Sequence, residues 1–133
     1  MQEIRVGDIL WVNGLKLLYS PNSNKMHPIM VLFQDKQFYY VVVMTSKKEN
    51  ARAYTFDIVE MPANIQNGMD RDSLIKIDKI YNIPRGAFRN TSLMGQADLY
   101  TYKTVLNRAL EHMKIRKEKK LEQLIQDKLD EII

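Results

Sequence analysis

The sequence predicts a mainly β domain, a small barrel or sandwich of short strands, that gives way to a long C-terminal helix. Three observations carry this expectation. From Asp8 to about Ile83, short apolar runs rich in β-branched and aromatic residues alternate with turn signals. From about Leu99 the apolar period changes, and Leu99, Tyr102, Leu106, Ala109, Leu110 and Met113 recur at helical spacing. No Gly or Pro interrupts the chain between Leu99 and Ile133. A chain of 133 residues is long enough for one domain with its own core. The expected division is a β-barrel over residues 1–97 and a helix over 98–133, its first part packed on the barrel and Lys114–Ile133 an extension.

Taken in order, Asp8–Val12 reads as a first strand, and Asn13–Lys25, with its Asn, Gly, Ser and Pro, mainly as a loop. Ile29–Phe33 and Phe38–Met44 flank the polar connection Gln34-Asp35-Lys36-Gln37, a hairpin signature in which neither strand keeps much of an exposed face. Tyr54–Val59 is a further strand candidate, and Asn67-Gly68 marks a turn. Ser73–Ile80 alternates, with Ser73, Ile75, Ile77 and Lys79 on an inward face and Leu74, Lys76, Asp78 and Ile80 on the other. Pro84, Gly86 and Asn90–Ser92 mark an irregular segment. The helical stripe lapses at Lys114–Lys120, where five basic residues accompany one Glu, and resumes at Leu121, Leu124, Ile125, Leu129 and Ile132. This reads as one helix, or two coaxial ones, about 50 Å long at about 1.5 Å per residue, which outruns a small barrel. The end, Leu121–Ile133, has the pattern of a partner-binding or self-pairing helix.

A net charge of +4 permits a nucleic-acid partner without requiring one. The absence of cysteine excludes disulfides and thiolate metal sites. No apolar run is long enough to cross a membrane, and the first residues lack the apolar core of a signal peptide, so a cytoplasmic location is expected. The sequence shows no metal-ligand cluster, no phosphate-binding glycine loop and no catalytic triad. No cofactor or metal is expected.

Four short segments in order carry a resemblance. They are Gly7-Asp8-Ile9-Leu10-Trp11-Val12, then Met26-His27-Pro28-Ile29-Met30-Val31-Leu32, then Val43-Met44-Thr45-Ser46, then Asp72–Ile83 with Asp78 at an acidic position. Together they resemble the MazF/PemK family, the ribonuclease toxins of bacterial toxin–antitoxin pairs, over roughly Val6 to Leu110. The resemblance implies an SH3-like (PemK-like) barrel with a C-terminal helix, a homodimer, a cognate antitoxin protein and single-stranded RNA as partners, and metal-independent cleavage to 2′,3′-cyclic phosphate and 5′-hydroxyl ends.

Such chemistry needs a base, an acid and support for the charged phosphorane. The resemblance implies His27, Thr45 and Asp78 as catalytic residues, and Ser46, Lys47, Lys48 and Lys76 as substrate-binding ones. The chain departs from the family in two places. Tyr19–Lys25 replaces a Glu-Gln-x-Gly type loop, and His27 stands where the family has an arginine. Histidine lacks the permanent charge and bidentate fork of arginine but suits proton transfer near neutral pH. The alternatives are therefore a catalytically inactive PemK-like module that binds RNA or a protein partner, and an assembly protein organised by the long helix.

Overall fold

The computed structural model describes residues 3–13, 26–46, 58–88 and 92–132. Six strands form a single antiparallel sheet: β1 (Asp8–Asn13), β2 (Met26–Gln34), β3 (Phe38–Ser46), β4 (Ile58–Met61), β5 (Ser73–Pro84) and β6 (Ser92–Gln96). The spatial order is β4-β5-β3-β2-β1-β6, curled into a half-barrel. A 3₁₀ turn, Arg85–Phe88, follows β5, and two helices end the chain, α1 (Leu99–Arg116) and α2 (Lys119–Ile132). The expected class, mainly β with C-terminal α, is the one observed.

Strands β2 and β3 read as continuous apolar runs because both faces of the sheet are buried. On the helix side, Ile9, Met30, Leu32, Val42, Met44, Ile75 and Ile77 pack with Tyr102, Val105, Leu106, Ala109 and Met113 of α1. On the opposite side, Leu10, Val12, Ile29, Val31, Val41, Val43 and Ile83 form a second cluster. The β2–β3 ladder slips between Val31 and Phe33, so Leu32 is an extra residue in a bulge. A buried carbonyl lost from a ladder needs another donor, and the Tyr102 hydroxyl of α1 donates to Leu32 O. Burial, with Glu131 nearby, pushes that phenol well above its ordinary pKa.

The predicted hairpin turn is fixed by one carboxylate. Asp35 Oδ1 accepts from the amides of Gln37 and Phe38, each at 2.8 Å, and Oδ2 accepts from the Tyr40 hydroxyl at 2.7 Å. The Tyr40 bond, more than the two amides and Lys120, holds the Asp35 carboxyl below its usual range. Burial first and Asp35 second push the Tyr40 phenol up to about 12.

Several boundaries differ from the sequence reading. The fourth strand runs on to Met61, past the expected end at Val59; its expected start, residues 54–57, lies outside the described residues, as does most of the predicted Asn13–Lys25 loop. Asn90 and Thr91 lie outside the described residues, and Ser92, the last residue of the segment read as irregular, opens β6, paired with β1. Its far side is packed by the Asn64–Gly68 turn. Gln96 N donates to Gln66 O at 2.9 Å. Asn67, fully buried, exchanges hydrogen bonds with Asn64 and donates through Nδ2 to Pro62 O. The approach is so close that a Cβ on Gly95 would lie 2.3 Å from the Asn67 carbonyl carbon, and one on Gly68 would lie 1.9 Å from Met94 O.

The C-terminal helix is neither continuous nor coaxial. Asp98 caps α1, accepting from Thr101 N at 2.7 Å. The helix ends where Lys117 takes up a left-handed conformation (φ 61°), its amide turned back to Lys114 O and Met113 O. The chain then reverses. Leu99 and Tyr102, at the start of α1, line the same cavity as Lys128, Glu131 and Ile132, at the end of α2. Ile125 and Leu129 of α2 are buried in the helix-side core with Leu106 and Met113. The second apolar stripe therefore packs within its own domain, where the sequence pattern predicts a partner-binding or self-pairing helix over Leu121–Ile133. The basic stretch has no apolar residue able to continue the buried stripe, and the reversal occurs there.

Candidate functional site

Strand alternation decides which of the predicted residues can meet. On β2, Ile29 and Val31 face away from the helices, and His27 shares their parity. On β3, Val41 and Val43 face the same way, and so does Thr45. Ile29 pairs with Val43, and Val43 pairs with Lys76 of β5, so these three form one row across adjacent strands. His27 and Thr45 lie two residues beyond that row at one end of the sheet, and Asp78 lies on the other side of it. All four polar residues, His27, Thr45, Lys76 and Asp78, are half-buried.

Lys76 and Asp78 line a cleft of 140 Å³ with Val43, Lys79 and Tyr81. His27 and Thr45 share the face of this cleft but do not line it. Ser46 ends β3 opposite Ser73. Lys47 and Lys48 lie outside the described residues.

Two lining residues, Lys79 and Tyr81, escaped the sequence reading, which set Lys79 inward with Ile75 and Ile77. The cause is a break in register. Val41 pairs with Tyr81 and Val43 with Lys76, so four residues of β5, Ile77 to Ile80, stand against Val42 alone. The bulge ends the alternation. Lys79 is exposed, and Ile80 instead packs against the helix-side core. Lys79 Nζ lies 4.7 Å from the centroid of the Tyr81 ring. Further along the same face, the Arg85 guanidinium carbon lies 4.6 Å above the ring of Tyr39. Bulges of this kind re-aim side chains beside functional sites.

The Gly-Asp opening of β1 is architectural. Gly7 has φ +86° and donates to Val31 O at 2.7 Å, while Asp8 accepts from the Arg5 amide at 2.8 Å. Among the described residues no three His, Asp or Glu side chains gather as a metal-holding group. Among them, too, no helix is long and apolar enough to cross a membrane.

A curled antiparallel sheet, helices over one face and a half-buried set of cationic, acidic and hydroxyl side chains on the other define a small β protein with a polar site remote from its helical core. The family model described as PemK-like, MazF-like toxin of type II toxin–antitoxin system matches residues 5–113. The chain belongs to that family, and an antitoxin partner follows from the membership. Comparison with curated proteins finds no match. The basic turn and α2 lie beyond the matched span.

Proposed function

We propose that this protein is the metal-independent endoribonuclease toxin of a toxin–antitoxin pair, acting on single-stranded RNA in the cytoplasm as a homodimer. The ribose 2′-hydroxyl attacks the adjacent phosphorus and loses its proton to a base. The 5′-oxygen leaves and takes up a proton from an acid, which yields a 2′,3′-cyclic phosphate and a 5′-hydroxyl. His27 serves as the acid/base or phosphate contact, and Thr45 hydrogen-bonds the phosphorane. Asp78, with Lys76, orients the 2′-hydroxyl or the partner acid. Ser46, Lys47 and Lys48 position the RNA backbone.

The observation that supports this reading best is the placement of His27, Thr45, Lys76 and Asp78 on one face across β2, β3 and β5. A second reading, a catalytically inactive PemK-like module that holds RNA or a protein, is favoured by His27 standing where the resemblance leads one to expect arginine. The test is incubation of the purified chain with a long unstructured RNA in EDTA, with products read by end-mapping. Discrete cuts ending in cyclic phosphate, lost in His27→Ala and Thr45→Ala, support the enzyme. Intact RNA with well-folded protein across neutral pH leaves the binding module.

A further inference from the structure

The face that carries His27 and Thr45 continues past Lys76 toward the β2–β3 turn, and two cations lie along it. Tyr81 stands beside Val41, and Tyr39 stands beside Ile83, so the two rings are diagonal neighbours on adjacent strands. Lys79 lies over the first ring and Arg85 over the second. Counted along β3, the stretch from Thr45 to Tyr39 is about 20 Å, at about 3.3 Å per residue. The two ring positions are about 7 Å apart by the same measure, on the order of one nucleotide step in an extended strand.

We propose that Lys79 and Arg85 are successive phosphate contacts for a single RNA strand as it leaves the candidate site toward the β2–β3 turn. The proposal rests on the ribonuclease reading and extends it to the path of the substrate. Neither cation meets a carboxylate among the described residues, and an aromatic ring lies against each. Arg85 is anchored through a single nitrogen, with Nη1 donating to Gln34 Oε1 at 2.5 Å and to Asp35 O at 3.0 Å. That bonding leaves the other donors of its fork to meet a phosphate. The β5 bulge turns Lys79 out of the core and into the cleft that Lys76 and Asp78 share. Either pair alone is an ordinary surface contact. Their alignment on one face, in line with the polar cluster, is what a strand-tracking groove requires.

The test is fluorescence anisotropy of a labelled single-stranded RNA of about 12 nucleotides, within the span that small β modules cover, 2′-O-methylated throughout so that no cleavage occurs. Affinity is measured as a function of salt for the wild type, Lys79→Gln, Arg85→Gln and the double variant. Each lost phosphate contact lowers the slope of log affinity against log salt by about 0.7. The expected result is therefore that decrement in each single variant, about twice as much in the double, and a slope kept by Lys79→Arg. Unchanged slopes in both single variants, with the wild type binding RNA, overturn the path and leave the ribonuclease reading standing. A wild type that does not bind this RNA at low salt overturns the path, and cleavage of unmodified RNA by the same preparation decides the ribonuclease reading separately. Variants that keep the RNA slope but lose binding to an oligoglutamate peptide assign the row to an acidic partner instead, and overturn the proposal. Lys79 is exposed and anchors no backbone, so its variant keeps the test decisive even where Arg85→Gln loosens the turn.

Discussion

The two faces of the sheet part company at one end. Under the helices, Ile9, Met30, Val42, Met44, Ile75 and Ile77 pack against α1 and α2 in one continuous apolar layer. The opposite face has an apolar layer too, but it gives way to His27, Thr45, Lys76 and Asp78, each half-buried. A polar side chain withdrawn from water costs desolvation that an apolar one would not. A sequence under selection for stability alone would continue the second layer as it continues the first. The difference separates two duties. One face holds the domain together, and the other presents groups suited to a charged substrate.

Substitutions on the two faces should therefore fail in different ways. The largest effect is expected from His27→Ala. In the acid/base role proposed for it, its loss should lower the rate of RNA cleavage by about 10²–10⁴-fold while the melting temperature hardly moves. A rate loss that tracks a large stability loss would return His27 to the structural side of the comparison. On the helix face, Ile125→Ala or Leu129→Ala should cost about 2–5 kcal/mol of stability in urea unfolding, because each empties a site in the shared core. An unchanged midpoint would mean that α2 does not close that core.

A smaller effect sharpens the comparison at the hairpin. Burial and Asp35 push the Tyr40 phenol up to about 12 in the folded chain, against 10.0 for the free group. A folded value raised in this way contributes stability that is fully present below about 10 and is lost as pH rises through about 12. Tyrosine NMR titration should find this phenol late, as it should the buried Tyr102, and Asp35→Asn should bring Tyr40 part of the way back, since burial remains. The smallest change expected is a gain. Lys117 occupies a left-handed conformation that glycine adopts without penalty. Lys117→Gly should raise stability by about 0.5–1 kcal/mol, after the extra entropy of glycine in the unfolded chain is set against it, and thermal melts resolve a shift of that size.

Alternation and turn chemistry made β1, the β2–β3 hairpin and most of β5 legible in the sequence, and with them the sharing of one face by Lys76 and Asp78. Three features were not legible, each for a physical reason. β6 is Ser-Leu-Met-Gly-Gln, with too few apolar positions to show a period, and its place depends on pairing with β1 and on the Asn67 turn. The helix reversal uses Lys117 where a glycine would have announced it. The direction of Lys79 depends on a bulge, which arises from the register of two distant strands rather than from the local pattern.

The Asn64–Gly68 turn pressed against Gly95 has a consequence for assembly. An open sheet ordinarily offers its outer strands as templates for β-augmentation, by a partner or by another copy. At β6 that invitation is withdrawn, since the Gln96 amide is already taken by Gln66 and the close approach at Gly95 leaves no room for an incoming backbone. The other outer strand, β4, has four described residues, and Arg108 of α1 donates to the Ile58 carbonyl among them. A protein that binds this toxin by lending it a strand would have to dislodge one of those contacts first, and the same obstacles guard the folded chain against edge-to-edge aggregation.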